Sequence, residues 1–222
     1  MSPEFNTDDV EVVLTTDGNT TLRSHRYHDT YHSRHGALSE AHHVFIMNGL
    51  NRFKHVTCLH ILEMGFGTGL NTVLTIQHKP ANQTIHYTAL EILPLPLTLI
   101  ASMGFTTWIK PKLWTDIHQC NWNVRIPISS QFTLYKRHES IHDHRPPHQY
   151  DLIYYDAFAP SYQPELWTLS QFKTLREWIR PNGGIVTYCA KGSVKRDLKT
   201  AGFNVLTLPG PPGKREMIFA SR

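Results

Sequence analysis

The sequence predicts an α/β fold, a doubly wound parallel sheet with helices on both faces, and three observations carry that reading. From Cys58 to the C-terminus, apolar runs of strand length alternate with segments of helical periodicity. A glycine-rich turn, Gly65-Phe66-Gly67-Thr68-Gly69, stands where the first of these strands feeds its helix. The last two strand-like runs have only a proline- and glycine-rich turn between them, so one of them must run antiparallel.

The elements follow in order. Residues 10–14 and 20–23 flank Asp17-Gly18, a strong hairpin signal. Residues 39–51 read as a helix, with Ser39 as its cap and Ala41, Val44, Phe45 and Leu50 on an apolar face. Residues 1–57 are thus expected to form a small hairpin-and-helix extension, and residues 58–222 one compact sheet domain. In that domain strands are expected at 59–63, 85–91, 132–136, 151–156, 185–189, 203–208 and 216–220. Helices are expected at 70–78, 95–103, 112–121, 163–179 and 194–201, the last stopped by Gly202. Pro181-Asn182-Gly183-Gly184 reads as the turn into the fifth strand, and Pro209-Gly210-Pro211-Pro212-Gly213 as the closing turn. Seven strands ending in an antiparallel hairpin fit a class I methyltransferase better than a symmetric dinucleotide-binding domain.

Composition narrows the partners. Lys plus Arg number 22 against 18 Asp plus Glu, a formal net charge of +4 that permits a polyanionic partner. Apolar runs are short and broken by prolines, and MSPEFNTDDV has neither the basic start nor the apolar run of a leader, so a soluble, cytoplasmic protein with no membrane partner is expected. The three cysteines, Cys58, Cys120 and Cys189, are scattered and form no C-x-x-C pair, which argues against a disulfide framework. His25, His28, His32, His35, His42 and His43 crowd the N-terminal quarter at spacings that match no standard zinc pattern, so no metal is expected. No P-loop, H-E-x-x-H helix or Ser-His-Asp order supports a hydrolase or metalloprotease.

The glycine turn is the chemical centre. Glu63-Met64-Gly65-Phe66-Gly67-Thr68-Gly69 has the form E-x-G-x-G-x-G, and Leu70 occupies the place of the third glycine in the dinucleotide pattern G-x-G-x-x-G. Glu91 ends the second strand 22 residues after Gly69, where a carboxylate accepts hydrogen bonds from ribose hydroxyls. The pair points to an adenosine-containing cofactor, and the absent third glycine favours S-adenosylmethionine over NAD. Gly65, Phe66, Gly67, Thr68, Gly69, Asn71, Glu91 and Ile92 are its expected contacts, and Glu63 is expected to fix the turn or to hold the donor's ammonium through water.

The acceptor side begins at Asp156, which ends the fourth strand ahead of a proline-containing loop. A carboxylate there suits an amine nucleophile, because it can bind the ammonium and take its proton. The bland alternative is a loop cap. Phe158, Tyr162 and Trp167 are aromatic enough to stack on a base, or to be core.

Four motifs in order, EMGFGTGLN from Glu63, DAFAP from Asp156, PELWT from Pro164 and GKREM from Gly213, resemble one family. It is the methyltransferase half of the bifunctional proteins that make 5-methylaminomethyl-2-thiouridine in tRNA. Tyr31-His32-Ser33, with Gly36 and Glu40, is similar to that family's segment before the first sheet strand. The resemblance implies methylation of the 5-aminomethyl group of the wobble uridine, with Asp156 catalytic and Tyr31, Glu40 and Phe158 on the substrate side. The chain ends at Arg222 just past GKREM, which implies the stand-alone form, without FAD, acting on the anticodon stem-loop after a separate enzyme has supplied the aminomethyl group. After the third strand the family's Gly-Asp is replaced by His138-Glu139, which leaves Glu139 as the candidate on the adenine side. Lys191, Lys195, Lys214 and Arg215 lie in turns where an RNA backbone could pass. The competing readings are a methyltransferase for another small-molecule or protein amine, and a non-catalytic RNA- or partner-binding protein of the same fold.

Overall fold

The computed structural model describes residues 9–16, 18–103 and 109–222; residues 1–8 and Asp17 of the Asp17-Gly18 turn lie outside the described residues. Strands β1 (Val10–Leu14), β2 (Thr20–Ser24) and β3 (Asp29–Thr30) form a small antiparallel sheet. Helix α1 (Ala37–Ala41) starts from Gly36 rather than Ser39, whose hydroxyl instead donates back to the Gly36 carbonyl at 3.2 Å. Gly36 has φ 145°, which releases the chain into the helix three residues early. The chain continues through a π-helical turn, His42–Met47, and a 3-10 turn, Leu50–Phe53. Gly49 between them is required by close approach, since a Cβ there would lie 2.4 Å from the Phe45 carbonyl oxygen.

The central sheet alternates as expected. Its elements are β4 (Cys58–Met64), α2 (Leu70–His78), β5 (Thr84–Glu91), α3 (Leu97–Ala101), α4 (Pro111–Gln119), β6 (Arg125–Ser129), β7 (Phe132–His138), β8 (Tyr150–Tyr155), α5 (Leu169–Trp178), β9 (Ile179–Thr187), α6 (Gly192–Thr200), β10 (Asn204–Pro209) and β11 (Glu216–Ser221). The strand order is β10-β11-β9-β8-β4-β5-β7-β6. The inner pairs β9–β8, β8–β4, β4–β5 and β5–β7 are parallel; β11 runs antiparallel to both β9 and β10.

The sheet has eight strands rather than seven. The added strand is β6, a short edge antiparallel to β7, with Pro127 in it and a register shift between Pro127 and Ser129. Proline cannot donate to a ladder, so an edge is where it is tolerated. The turn expected at 181–184 lies inside β9, where the pairing with β8 shifts register and Asn182 takes φ 67°. The helix expected at 163–179 is split: a 3-10 turn at Pro164–Trp167 precedes α5, and Thr168 caps α5 by accepting the Gln171 N–H at 3.2 Å. No helix among the described residues is long and apolar enough to cross a membrane.

Each sheet face carries its own core. On one, Leu59, Ile61, Tyr87 and Tyr154 pack with Val73 of α2 and with Leu22, Val44 and Phe45 from the N-terminal segment. On the other, Leu62, Ile153 and Tyr155 pack with Phe172 and Leu175 of α5 and Val194 and Leu198 of α6. Glu63, on β4, is fully buried under α2 and accepts a hydrogen bond from the Thr72 hydroxyl at 3.2 Å. Burial above all, and then the nearby Asp156, raises its carboxyl well above the ordinary 4.5.

Two outcomes follow for stability. Phe172→Ala empties a buried site between Tyr155 and Trp167 and should cost about 3–5 kcal/mol, read from the denaturant midpoint. Glu63 holds a proton when folded that it loses when unfolded above pH 4.5, so its contribution falls as pH rises from there toward its raised folded value. Glu63→Gln keeps the shape without that proton. The stability of Glu63→Gln relative to the parent should therefore grow with pH above 4.5, by at most about 1.4 kcal/mol per pH unit; a pH-independent difference would mean that Glu63 is ionised in the fold.

Candidate active site

The site is built where β4 and β8 end side by side, with Met64 in register with Tyr155. Connections leave these two strands in opposite directions, and ligands bind in the crevice that such a switch opens. Gly65 and Asp156 therefore face each other: a Cβ on Gly65, at φ 84°, would lie 3.3 Å from the Asp156 carbonyl oxygen.

The glycine turn is tied down from β5. The N–H groups of Gly65 and Phe66 both donate to the Leu90 carbonyl, at 3.1 and 3.0 Å. Glu91 accepts the Gly67 N–H on Oε2 at 2.9 Å and the Leu93 N–H on Oε1 at 2.8 Å, so one carboxylate clamps the turn to the loop after β5. Burial raises the Glu91 carboxyl above its ordinary value, although the N–H donors of Gly67, Leu93 and Ile92 pull it down. Each of its oxygens keeps a further lone pair for a hydroxyl donor. Thr68 anchors the turn from two sides: its hydroxyl lies 3.0 Å from His32 Nε2, and its carbonyl 3.1 Å from His118 Nε2.

These residues wall a cleft of about 530 Å³, within the usual range for a small-molecule site. Gly65, Phe66, Gly67, Thr68, Asn71, Glu91, Ile92, Glu139, Tyr31, Glu40, Asp156, Phe158 and Lys214 all line it. Asp156 is half-buried and accepts a hydrogen bond from Asn71 Nδ2 at 2.8 Å. Burial lifts its carboxyl from 3.8 to about 7; the Asn71 hydrogen bond and Lys214 hold it down, and Glu40 pushes it up. The loop after it is firm. Tyr188 donates its hydroxyl to the Ala157 carbonyl at 2.8 Å, and Gln163 Oε1 accepts the Phe158 N–H at 3.0 Å. Phe158 stacks on Tyr27 at a centroid distance of 4.6 Å and meets the edge of Tyr31 at 5.2 Å.

Several expected roles need correction. Glu63 does not line the cleft; it points under α2, so it cannot hold a donor ammonium, even through water at the surface. Gly69 sits behind the turn, where a Cβ would meet Ile117 and Phe66 at 3.0 Å, and its part is to shape the turn. Glu139 reaches the cleft, but its carboxylate is taken by Arg137 and by His144 Nδ1 at 2.6 Å. Lys214 is not an open phosphate contact: it pairs with Glu40 at 2.6 Å and lies 3.9 Å over the Tyr188 ring. Lys195 is likewise paired with Glu216, at 2.5 Å, while Lys191 and Arg215 are exposed away from the cleft. Trp167 is core, donating its ring N–H to the Phe158 carbonyl at 2.8 Å, and Tyr162 is exposed.

Tyr27, His32, Gln163, Tyr188 and His118 were missed from the sequence. Tyr188 had a signal, because it follows the carboxyl end of β9, where such sheets bind ligands. Tyr27 had none, since its segment reaches the site only through tertiary packing; His32 stood in the Tyr31-His32-Ser33 likeness, but without a role of its own. The six N-terminal histidines do not form a common site: His32 is a strut, His43 meets the Pro209 carbonyl at 2.9 Å, and His42 packs on His78.

The S-adenosyl-L-methionine-dependent methyltransferase family matches residues 127–222, a stretch that holds Asp156 but not the glycine turn. A tRNA 5-methylaminomethyl-2-thiouridine biosynthesis bifunctional protein of Cupriavidus metallidurans is 32% identical over 230 residues, covering 95% of this chain and 33% of that protein. Its counterpart in Nitrosospira multiformis is 30% identical over 217 residues, covering 90% of this chain and 35% of that protein. The chain thus spans about a third of the length of the curated relatives it matches. Among solved structures, MNMC2 from Aquifex aeolicus superposes with a TM-score of 0.78 at 22% identity, covering 98% of this chain and 72% of that one. Human methyltransferase-like protein 13 in complex with SAH reaches 0.50 at 14% identity, covering 83% and 82%. The chain has the class I S-adenosylmethionine-dependent methyltransferase fold and is a homologue, over about a third of their length, of the tRNA 5-methylaminomethyl-2-thiouridine biosynthesis bifunctional proteins.

Proposed function

We propose that this chain methylates the amine of 5-aminomethyl-(2-thio)uridine at the tRNA wobble position, with S-adenosylmethionine as donor, to give the 5-methylaminomethyl nucleoside. The observation that carries the proposal is Asp156: a carboxyl pushed up to about 7 in the wall of the cleft, beside the glycine turn and next to an aromatic cluster. The residues present fit the donor. Glycines with φ 84° and 50° keep side chains off one wall, Glu91 offers spare acceptors to ribose hydroxyls, and Leu93 and Ile141 supply an apolar wall for the adenine. When bound, S-adenosylmethionine supplies an electrophilic methyl group.

The chain's own residues handle the acceptor. Phe158, Tyr27 and Tyr31 offer ring faces and edges to the uracil. Asp156 as carboxylate binds the substrate ammonium and takes its proton, which frees the lone pair that attacks carbon. Asn71 holds the carboxylate in place, and Tyr188 holds the backbone just after it. Neither FAD nor a metal has a part in this step. The aminomethyl group would come from a separate reaction. In this reading the RNA backbone meets Lys191 and Arg215, whose exposure supports that role, rather than Lys195 and Lys214, which are held in ion pairs.

Asp156→Asn should lower turnover by ~10²–10⁴-fold with little change in S-adenosylmethionine affinity. In the parent, kcat/KM should rise with pH through about 7 as Asp156 loses its proton, and the Asn variant should lack that inflection. Nucleoside mass spectrometry on tRNA carrying the aminomethyl group measures both; near-parental turnover in the variant would reduce Asp156 to a loop cap. Replacing Lys191 and Arg215 with alanine should lower the salt slope of tRNA binding by about 0.7–0.9 for each phosphate no longer neutralised. An unchanged slope puts the RNA elsewhere.

A further inference from the structure

At the end of the sheet opposite the cleft, three metal-ligand side chains from two strands converge. Cys58 and His60 stand two residues apart on β4 and so share a face, and His86 faces His60 directly across the parallel β4–β5 ladder. Cys58 Sγ and one ring nitrogen each of His60 and His86 lie within 4.8 Å of one another. Cys58 Sγ is 4.0 Å from His60 Nε2, and the His60 and His86 rings stack at a centroid distance of 4.8 Å. The other nitrogen of His60, Nδ1, lies 2.8 Å from Nε2 of His148, in the loop before β8.

We propose that Cys58, His60 and His86 bind one zinc-class ion, and that His148 orients His60 from behind. One sulfur and two imidazole nitrogens are a donor set that zinc takes in tetrahedral geometry, at about 2.3 Å to sulfur and 2.0–2.1 Å to nitrogen. Those bond lengths put neighbouring ligand atoms roughly 3.3–3.8 Å apart, so the three atoms must close by about 1 Å from their present spread. Cys58 is exposed and both histidines are half-buried, which leaves their side chains room to make that adjustment. The backbone needs no change, because the ladder already sets the strands in register.

The His60–His148 contact gives the arrangement a direction. Two imidazole nitrogens at 2.8 Å share one hydrogen, and when His60 Nδ1 donates it, Nε2 keeps its lone pair on the Cys58 side. A ligating histidine is commonly held this way by an acceptor on its second nitrogen. Asp151 adds to the hold by accepting the His60 backbone N–H at 2.7 Å, and it also pairs with Arg180 at 3.0 Å, which offsets that neighbouring cation. The fourth position faces solvent beside Cys58, so water would complete the tetrahedron. The sequence hid the site, since Cys58-x-His60 with His86 matches no usual zinc spacing.

The test is a cobalt(II) titration of the metal-stripped chain, followed by visible absorption. The expected result is one equivalent bound, with a thiolate-to-cobalt charge-transfer band and tetrahedral d–d bands that zinc displaces. Cys58→Ser should abolish the charge-transfer band. Cys120 and Cys189 are also free thiols, so this variant identifies the sulfur. His148→Gln should keep the bands and weaken binding by about 10–100-fold, and His86→Gln by at least that factor. The absence of thiolate bands in the parent overturns the proposal, as does their survival in Cys58→Ser. If Cys58→Ser fails to fold, unchanged cobalt affinity in His86→Gln does the same.

Discussion

The site hangs on one constraint of the sheet, the adjacency of β4 and β8 with their carboxyl ends in register. The chain leaves β4 toward α2, in the core on one face of the sheet, and leaves β8 toward the loop before α5, in the core on the other. The divergence opens a crevice that neither helix layer can fill. It also brings Gly65 against the Asp156 backbone, too close for any side chain to pass without displacement. Asn71, in the first turn of α2, then reaches back across the gap to the Asp156 carboxylate. Shifting β8 by one residue would turn its side chains to the opposite faces and dissolve the arrangement.

Beside the ion pairs Glu40–Lys214 and Glu139–Arg137, the crevice holds acidic and basic groups that have no salt-bridge partner among the described residues. Glu91 and Asp156 lean first on N–H and amide dipoles, with Lys214 adding a smaller pull on Asp156. Lys136, almost wholly buried behind the glycine turn, is pushed down to about 8 chiefly by burial, donates to the His118 carbonyl at 3.1 Å, and lies over the rings of Phe66 and Trp122. His118 in turn holds the Thr68 carbonyl, so this polar floor supports the turn from below. Burying such groups costs stability unless hydrogen bonds compensate, and the cost falls beside the cleft. Glu63 is the telling contrast. It is as acidic by nature, but it lies behind the turn with no cleft to serve, and burial pushes its carboxyl well above the ordinary range.

The sheet, and the placement of the glycine turn and Glu91 at its strand ends, were legible in the sequence because they are local. Period-two and period-3.6 patterns place strands and helices, and the glycine turn and Glu91 sit at strand ends that those patterns define. The eighth strand was not legible, because five residues with a proline at an edge carry too little periodicity. The break in the helix expected at 163–179 was not either, although the capping Thr168 and Pro164 stand in it. What failed most was charge pairing across long separations. Lys214 read as a loop cation until its partner Glu40, from the other end of the chain, came into contact with it. The Cys58, His60 and His86 cluster escaped for the same reason, since it is assembled by strand register and not by sequence spacing.

On the function proposed above, the cleft divides into a sheet-built half for the cofactor and an added half for the acceptor. The cofactor side comes from β4, β5 and their turns, which any sheet of this topology can supply. The acceptor side comes from parts outside the sheet: Tyr27, Tyr31 and Glu40 from the N-terminal segment, Phe158 from the loop after β8, and Lys214 from the final turn. Three contacts lock these pieces together. His32 bridges the Thr21 hydroxyl on β2, at 3.1 Å, to Thr68 of the glycine turn; Phe158 packs on Tyr27; and Lys214 pairs with Glu40. On the function proposed above, a base entering between Phe158 and the tyrosines meets a wall whose position is set by the glycine turn. The N-terminal segment is thus tied to both halves of the cleft, and its packing into the first core makes it part of the cleft's frame rather than an appendage.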